Sequence, residues 1–320
     1  MRDDQLVAAI HDYAKSLDIQ DIGICRAEPL KKEAAYLHQW LSERRHGDME
    51  WMETRAGERV DPTAFFPEAK SIIVASFNYY REEKVDRKAT DGNISIYARG
   101  RDYHKVIRKK LKKLLGFIQK HRPEVKGRVC VDSFPLMEKP FAVRAGLGWI
   151  GKHTNLISKK HGSWFFLGEL ILSIELPSSE PFQTDHCGNC TRCMDACPTS
   201  ALDTPFQIDG AECISYLTIE HSGEIDQHLQ TQMGNWIFGC DICQVVCPWN
   251  RFSEKSPIED FRERLSEEQY RLDFLSQLTE REFDDMFAGT PVRRAGYRQF
   301  MRNVDIAKKN IMDDSEAANS

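Results

Sequence analysis

Cys187-Gly188-Asn189-Cys190-Thr191-Arg192-Cys193-Met194-Asp195-Ala196-Cys197-Pro198 is the stretch that decides how this chain is organised. Its cysteines are spaced x2, x2 and x3, and a proline follows the last. A second run, Cys240-Asp241-Ile242-Cys243-Gln244-Val245-Val246-Cys247-Pro248, repeats the ending but lacks one upstream cysteine, which Cys213 is available to supply. Eight of the ten cysteines therefore lie between positions 187 and 247. Three closely spaced thiolates on a tight turn can wrap one cubane, whereas a cysteine before proline points away and reaches a second. The spacing predicts two [4Fe–4S] clusters with crossed ligation. Cys187, Cys190, Cys193 and Cys247 serve one, and Cys197, Cys213, Cys240 and Cys243 the other.

The first run matches the bacterial ferredoxin pattern, and its proline ending argues against structural zinc, which also uses C-x2-C pairs. A radical-SAM centre would leave one iron without a thiolate, and here every iron has one available. At 320 residues the chain exceeds a lone ferredoxin, so a large domain must accompany the clusters. No apolar run reaches the ~18–20 residues of a membrane span, and the start Met1-Arg2-Asp3-Asp4 does not read as a signal peptide. The expectation is a cytoplasmic protein without membrane contact, and a monomer. Cys25 and Cys130, each in an apolar strand, read as buried small hydrophobes. The net charge of −5 does not suggest bulk nucleic-acid binding, but the run from Arg99 to Arg128 carries only Asp102 and Glu124 as acids. Such a patch can bind RNA on an acidic protein.

Upstream of the cysteines, periodicity predicts a helix over 5–17, with Leu6, Ile10, Tyr13 and Leu17 on one stripe, and a second around Tyr36, Leu37, Trp40 and Leu41. Strands are expected at Asp21–Cys25, at the continuous apolar run Ser71–Phe77, at Arg128–Asp132 and at Phe165–Leu176. Residues 81–93 read as an exposed loop. Asp102 to Lys120 reads as a helix with Ile107, Leu111, Leu114 and Ile118 facing the core, and a further helix is expected at about 136–145. Alternating helices and strands make the first part an α/β or α+β domain. Pro177 to Asp185 reads as a linker. The division expected is 1–177, 178–255 for the ferredoxin-like two-cluster domain, and 256–320 as a short helical C-terminal segment. No G-x-G-x-x-G follows a strand, so a Rossmann site is unsupported.

Six segments then carry a resemblance. They are Tyr97–His104; Val131-Asp132-Ser133 with Pro135-Leu136; Arg144–Lys152; Gly162–Glu169; Cys213–Thr218; and Gly239–Gln244. With them the chain resembles the epoxyqueuosine reductases from about residue 5 to residue 310. The resemblance implies an α+β, nitroreductase-like domain that binds cobalamin without the D-x-H-x-x-G motif. The implied activity is reduction of the epoxide of epoxyqueuosine, at the wobble position of tRNA, to the alkene of queuosine. That reaction consumes two electrons and two protons and releases water. An external donor of flavodoxin or ferredoxin type would supply the electrons.

Residue by residue, the resemblance implies Asp132 as proton donor, with a pKa raised by an apolar corrin face, and Asp102 and His104 beside it. Arg55, Tyr97, Asp132, Thr154, Asn155 and Ser215 become expected cobalamin contacts. Gly146, Gly148 and Gly151 would let the backbone approach a flat ligand. Arg99, Arg101, Lys105, Arg108, Lys109 and Lys112 form the expected tRNA footprint, extended by Arg293, Arg294, Arg298 and Arg302. Two other readings stay open here: a corrinoid-dependent reductive dehalogenase, and a non-catalytic ferredoxin-type electron carrier.

Overall fold

Ser71–Asn78 (β2) is buried at every position in the computed structural model, which describes residues 1–81, 88 and 90–318. A strand covered on both faces reads as an unbroken apolar run, because successive side chains enter opposite cores. Ile73, Ala75 and Phe77 point into the larger core, against Leu6, Ile10 and Ala14 of the first helix and Ile107, Leu111 and Leu114 of the basic helix. Ile72 and Val74 point the other way, toward Phe141 and Ala142 of the helix Glu138–Arg144.

The sheet is four-stranded. Asp21–Arg26 (β1), β2, Phe165–Leu172 (β7) and Gly127–Cys130 (β4) lie in the order β1-β2-β7-β4, each pair antiparallel. Gly168 on β7 lets the basic helix Tyr103–His121 settle on the sheet, since a Cβ there would lie 2.7 Å from the Ile107 side chain. Two short pairs complete the strands. Trp149–Ile150 (β5) meets Leu156–Ile157 (β6), and Asn93–Ile94 (β3) runs parallel to Trp236–Phe238 (β8).

The β3–β8 pair changes the expected three-part division, because it joins the amino-terminal part to the cluster region. Ile94, Ala98, Ile237 and Phe238 share one core with Phe283, Phe287, Phe300 and Val304 from the last part of the chain. Asn303, fully buried on the helix Gly296–Ala318, donates to the carbonyls of Thr218 at 2.9 Å and Ile237 at 3.0 Å. The C-terminal helix thus clamps the cluster region rather than standing as a separate segment.

Other expectations also shift. Of the loop expected at 81–93, residues 82–87 and 89 lie outside the described residues, and Arg81, Asp91 and Asn93 are buried. The last strand of the sheet stops at Leu172, short of Leu176. The expected linker is anchored: Ser179 N–H donates to Ile24 O and Phe182 N–H to Val143 O, and the Phe182 ring stacks on Trp149. Tyr36 is 56% exposed, so only Leu37 of the second helix stripe is fully covered.

Candidate active site and cluster centres

Asp102 is the N-cap of the basic helix, its Oδ1 accepting the His104 N–H at 3.0 Å. The same oxygen lies 2.8 Å from His104 Nδ1, and His104 Nε2 meets Asp132 Oδ2 at 2.9 Å. A helix start and a strand end, far apart in sequence, therefore join the three expected catalytic residues into one hydrogen-bonded row. Tyr103 adds its hydroxyl to Asp132 and stacks its ring on Phe166, with centroids 4.2 Å apart.

Burial works against a charged imidazole at this position, but a carboxylate on each nitrogen overcomes it and His104 is pushed up to about 9. It is therefore an imidazolium at neutral pH, donating from both nitrogens. Asp132 shifts oppositely. Burial favours its neutral form, yet the bonds from His104 and Tyr103 hold it below the usual carboxylate range. Among the protein's own groups the proton of the pair therefore rests on His104, and Asp132 is the carboxylate in contact with it.

Half of the Asp132 side chain is exposed, opening into a cavity of about 170 Å³. Phe165, Phe166, Leu167 and Leu156 give that cavity an apolar wall, and Lys139, Asn155 and Gln244 give it polar groups. Gln244 adjoins Cys243 in sequence and is fixed by donating to Ser163 O at 3.1 Å. Tyr103, Glu138, Lys139 and Gln244 were missed as site residues. Tyr103 and Gln244 lie inside segments that carried the resemblance, so position beside Asp102 and Cys243 was the usable signal.

Among the expected cobalamin contacts, Asp132 and Asn155 line this cavity, and Arg55, Tyr97, Thr154 and Ser215 do not. Arg55 is engaged by Glu58. The Tyr97 ring packs edge-on against Tyr103 and Phe166. Thr154, at φ 63°, turns its carbonyl to Lys139 Nζ at 3.0 Å. Ser215 gives its N–H to Cys213. The glycine-rich turn is explained by the protein's own packing. A Cβ on Gly148 would lie 2.0 Å from Ile157 O, and one on Gly146 2.4 Å from Glu180 O.

Cys187, Cys190, Cys193 and Cys247 surround one small cavity of about 50 Å³. Burial raises the pKa of Cys213, Cys240 and Cys243, and neighbouring thiols add to it: Cys243 and Cys213 act on Cys240, Cys213 acts on Cys243, and Cys197 acts on Cys213. Among the described residues no three His, Cys, Asp or Glu side chains converge on a single-ion position; a cubane needs none, since each thiolate reaches its own iron. Cys25 and Cys130 are each 1% exposed and stand away from both groups. Asp241, 1% exposed, ties the second loop to the sheet domain, accepting from Ser95 Oγ and from Ile96 N–H at 2.8 Å.

The cationic residues divide into two sets. Lys105, Arg108, Lys109, Lys112 and Lys113 line a shallow surface hollow of about 450 Å³. Arg99 is a correction to the expected footprint: it is 4% exposed, with Nε donating to Ile94 O at 2.8 Å. Arg302 is a second, because it spans the carbonyls of Leu217, His221 and Gly223. Arg101 pairs with Asp260, Arg293 with Asp284, and Arg294 with both oxygens of Glu220.

Residues 186–250 match the family model of the 4Fe-4S double cluster binding domain. Cysteine array and hydrogen-bonded acid row together define an iron–sulfur oxidoreductase. Residues 59–133 match the model described as epoxyqueuosine reductase QueG, DUF1730. The epoxyqueuosine reductase of Cellulophaga algicola is 44% identical over 288 residues, which are 89% of this chain and 92% of that one. That of Escherichia coli is 39% identical over 310 residues, 96% of this chain and 81% of its own. An epoxyqueuosine reductase solved with an epoxyqueuosine-modified tRNA-Tyr stem loop aligns with a TM-score of 0.89 at 30% identity, covering 98% of this chain and 84% of that one. The Bacillus subtilis enzyme, solved with its catalytic aspartate loop swung out of the active site, aligns at 0.88 and 29%, with the same coverage. The chain belongs to the epoxyqueuosine reductase family. No helix among the described residues is long and apolar enough to cross a membrane.

Proposed function

We propose that this chain reduces the epoxide of epoxyqueuosine in tRNA to the alkene of queuosine, with cobalamin in the Asp132 cavity and two [4Fe–4S] clusters beside it. One observation carries the reading: Asp132, hydrogen-bonded to His104, and Gln244, neighbour of Cys243, line the same cavity. A proton relay and the sequence neighbour of a proposed cluster ligand thus flank one space. Family membership replaces the dehalogenase and electron-carrier alternatives.

At about 170 Å³ the cavity admits only part of a corrinoid, and its lining fits that part. An aromatic and aliphatic wall faces amide, ammonium and carboxylate groups, which suits a flat macrocycle rimmed by carboxamides. Asn155, Lys139 and Gln244 would hold that rim, and Phe165 and Phe166 its face; of the remaining expected contacts, Arg55, Tyr97, Thr154 and Ser215 belong to the surround. Cobalamin, when bound, supplies a cobalt centre that accepts single electrons and acts as a nucleophile toward carbon. Cys187, Cys190, Cys193 and Cys247 would hold one cluster, and Cys197, Cys213, Cys240 and Cys243 the other, with backbone N–H groups of Ser215, Ile242 and Trp249 directed at sulfur.

The chain's own part is proton delivery. His104 carries the proton at neutral pH, Asp102 fixes the ring from behind, and Asp132 hands one proton to the epoxide oxygen and, once the row is reprotonated from solvent, a second, so that the oxygen leaves as water. Tyr103, whose own ionisation burial suppresses, stays a neutral donor that steadies Asp132. Phe165, Phe166 and Leu167 keep water from the reacting carbon. Lys105, Arg108, Lys109 and Lys112 supply phosphate contacts for the tRNA, and the modified base enters the cavity. The Asp132–Leu136 turn is the counterpart of the loop that swings out in the Bacillus subtilis relative. An external one-electron donor and a monomeric working state complete the reading.

Comparing wild type with Asp132→Asn tests it. The variant should retain its iron and its cobalamin absorbance yet lose roughly 100-fold or more in turnover, the scale of general acid catalysis. Undiminished turnover would refute the role given to Asp132.

A further inference from the structure

Glu169 is the anomaly of the central sheet. It is fully buried on β7 between Val74 and Cys130, on the face that carries Leu167 and Ile171, and neither carboxyl oxygen has a hydrogen-bond donor. The group within hydrogen-bonding reach is a second acid, Glu138, the first residue of its helix. Two carboxylates in contact away from water repel each other, so such a pair keeps a proton. Burial and the nearby Asp132 carboxylate push Glu138 up to about 7, and burial and the Glu138 carboxylate push Glu169 well above the carboxylate range. A shared proton supplies the donor that the Glu169 oxygens lack.

The outer oxygen of the pair shows what it is for. Glu138 Oε1 accepts the Asp132 backbone N–H at 2.8 Å. Asp132 lies at φ 46°, in the left-handed region that an L residue adopts only under constraint. Its carboxylate is held at one end by His104 and its amide at the other by Glu138. A carboxyl and its buried backing, placed under the turn that carries the proton-donating side chain, act on the geometry of that side chain.

We propose that Glu138 is a positioning residue: braced by Glu169, its carboxyl pins the Asp132 turn so that the side chain stays over the cavity and against His104. The inference rests on the role of Asp132 proposed above. Glu138 lines the cavity, and its hydrogen bond to the catalytic row is the one it accepts from the Asp132 amide.

The test uses the holoenzyme and three variants. Glu138→Gln keeps an uncharged oxygen acceptor toward Asp132 and should retain turnover. Glu138→Ala should lose roughly 100-fold in kcat, the consequence of about 1 Å of misplacement, with KM for the tRNA unchanged. Hydrogen exchange of residues 131–137, read by mass spectrometry, should rise in Glu138→Ala and not in Glu138→Gln. Combining Glu138→Ala with Asp132→Ala should cost no more than Asp132→Ala alone, because both act on one step. If Glu138→Ala does not fold, Glu138→Leu fills the space without an acceptor and gives the same comparison. Equal losses in the Gln and Ala variants, or unchanged exchange in Ala, would overturn the inference. Should Asp132→Ala itself turn over normally, the failure lies in the proposed function instead.

Discussion

Asp102→Asn is the most informative single change at the site. Asparagine still caps a helix, so the basic helix keeps its start, while the negative charge behind His104 disappears. In the wild type, two carboxylates lift His104 from 6.5 to about 9 in spite of burial. With one carboxylate left and burial unrelieved, the pKa should fall by about 1 unit or more. The form needed is the protonated one, so kcat/KM should hold steady toward alkaline pH and break near 9 in the wild type. In the variant the break should move to about 8 or lower. At pH 9 the variant would then retain about a tenth of its plateau, against about half for the wild type. The same shift has a stability consequence. Because the folded pKa is raised, the contribution is complete below pH 6.5 and fades as pH rises through about 9; its full size is on the order of 3 kcal/mol. The assay is a pH–rate profile of the cobalamin-loaded enzyme. A wild-type break near 6.5, or an unmoved break in Asp102→Asn, would refute the reasoning.

Further outcomes follow from the remaining geometry. Reversing Lys109 and Lys112 to glutamate should weaken tRNA binding and flatten its dependence on salt by roughly two phosphate contacts, measured by affinity across a salt series. Arg302→Met should instead lower thermal stability by roughly 2–4 kcal/mol, since it leaves three backbone carbonyls without their donor, and should not alter the salt slope. Cys247→Ser should reduce the iron content by about half, whereas Cys25→Ser should leave it unchanged, as read by iron and sulfide analysis.

Much of the scaffold was legible because local chemistry agreed with burial. The run Ser71–Phe77 is apolar since β2 is covered on both faces, and the 3.6-residue stripe of the basic helix matches its buried side. The cysteines declared themselves by spacing alone. What the sequence hid were meetings between distant elements. Asp102, His104 and Asp132 each have an innocent local use; the family resemblance put them in one site, while their hydrogen-bonded row depends on packing between a helix start and a strand end. Arg99 looked like part of a basic surface because charge says nothing of direction; the β3–β8 pair turns it inward. Arg302 misled for the same reason. Glu169, in a strand of Phe, Leu and Ile, breaks the apolar pattern on the buried face, and only the tertiary contact with Glu138 gives it a partner.

The central claim is tested most directly by the nucleosides of a treated tRNA. Anaerobically purified wild-type protein, loaded with cobalamin and both clusters, is given reductant and tRNA bearing epoxyqueuosine. The tRNA is then digested and its nucleosides are weighed by mass spectrometry. Queuosine should replace epoxyqueuosine over many turnovers. Full recovery of the epoxide, from protein whose iron and cobalt contents are complete, would contradict the account.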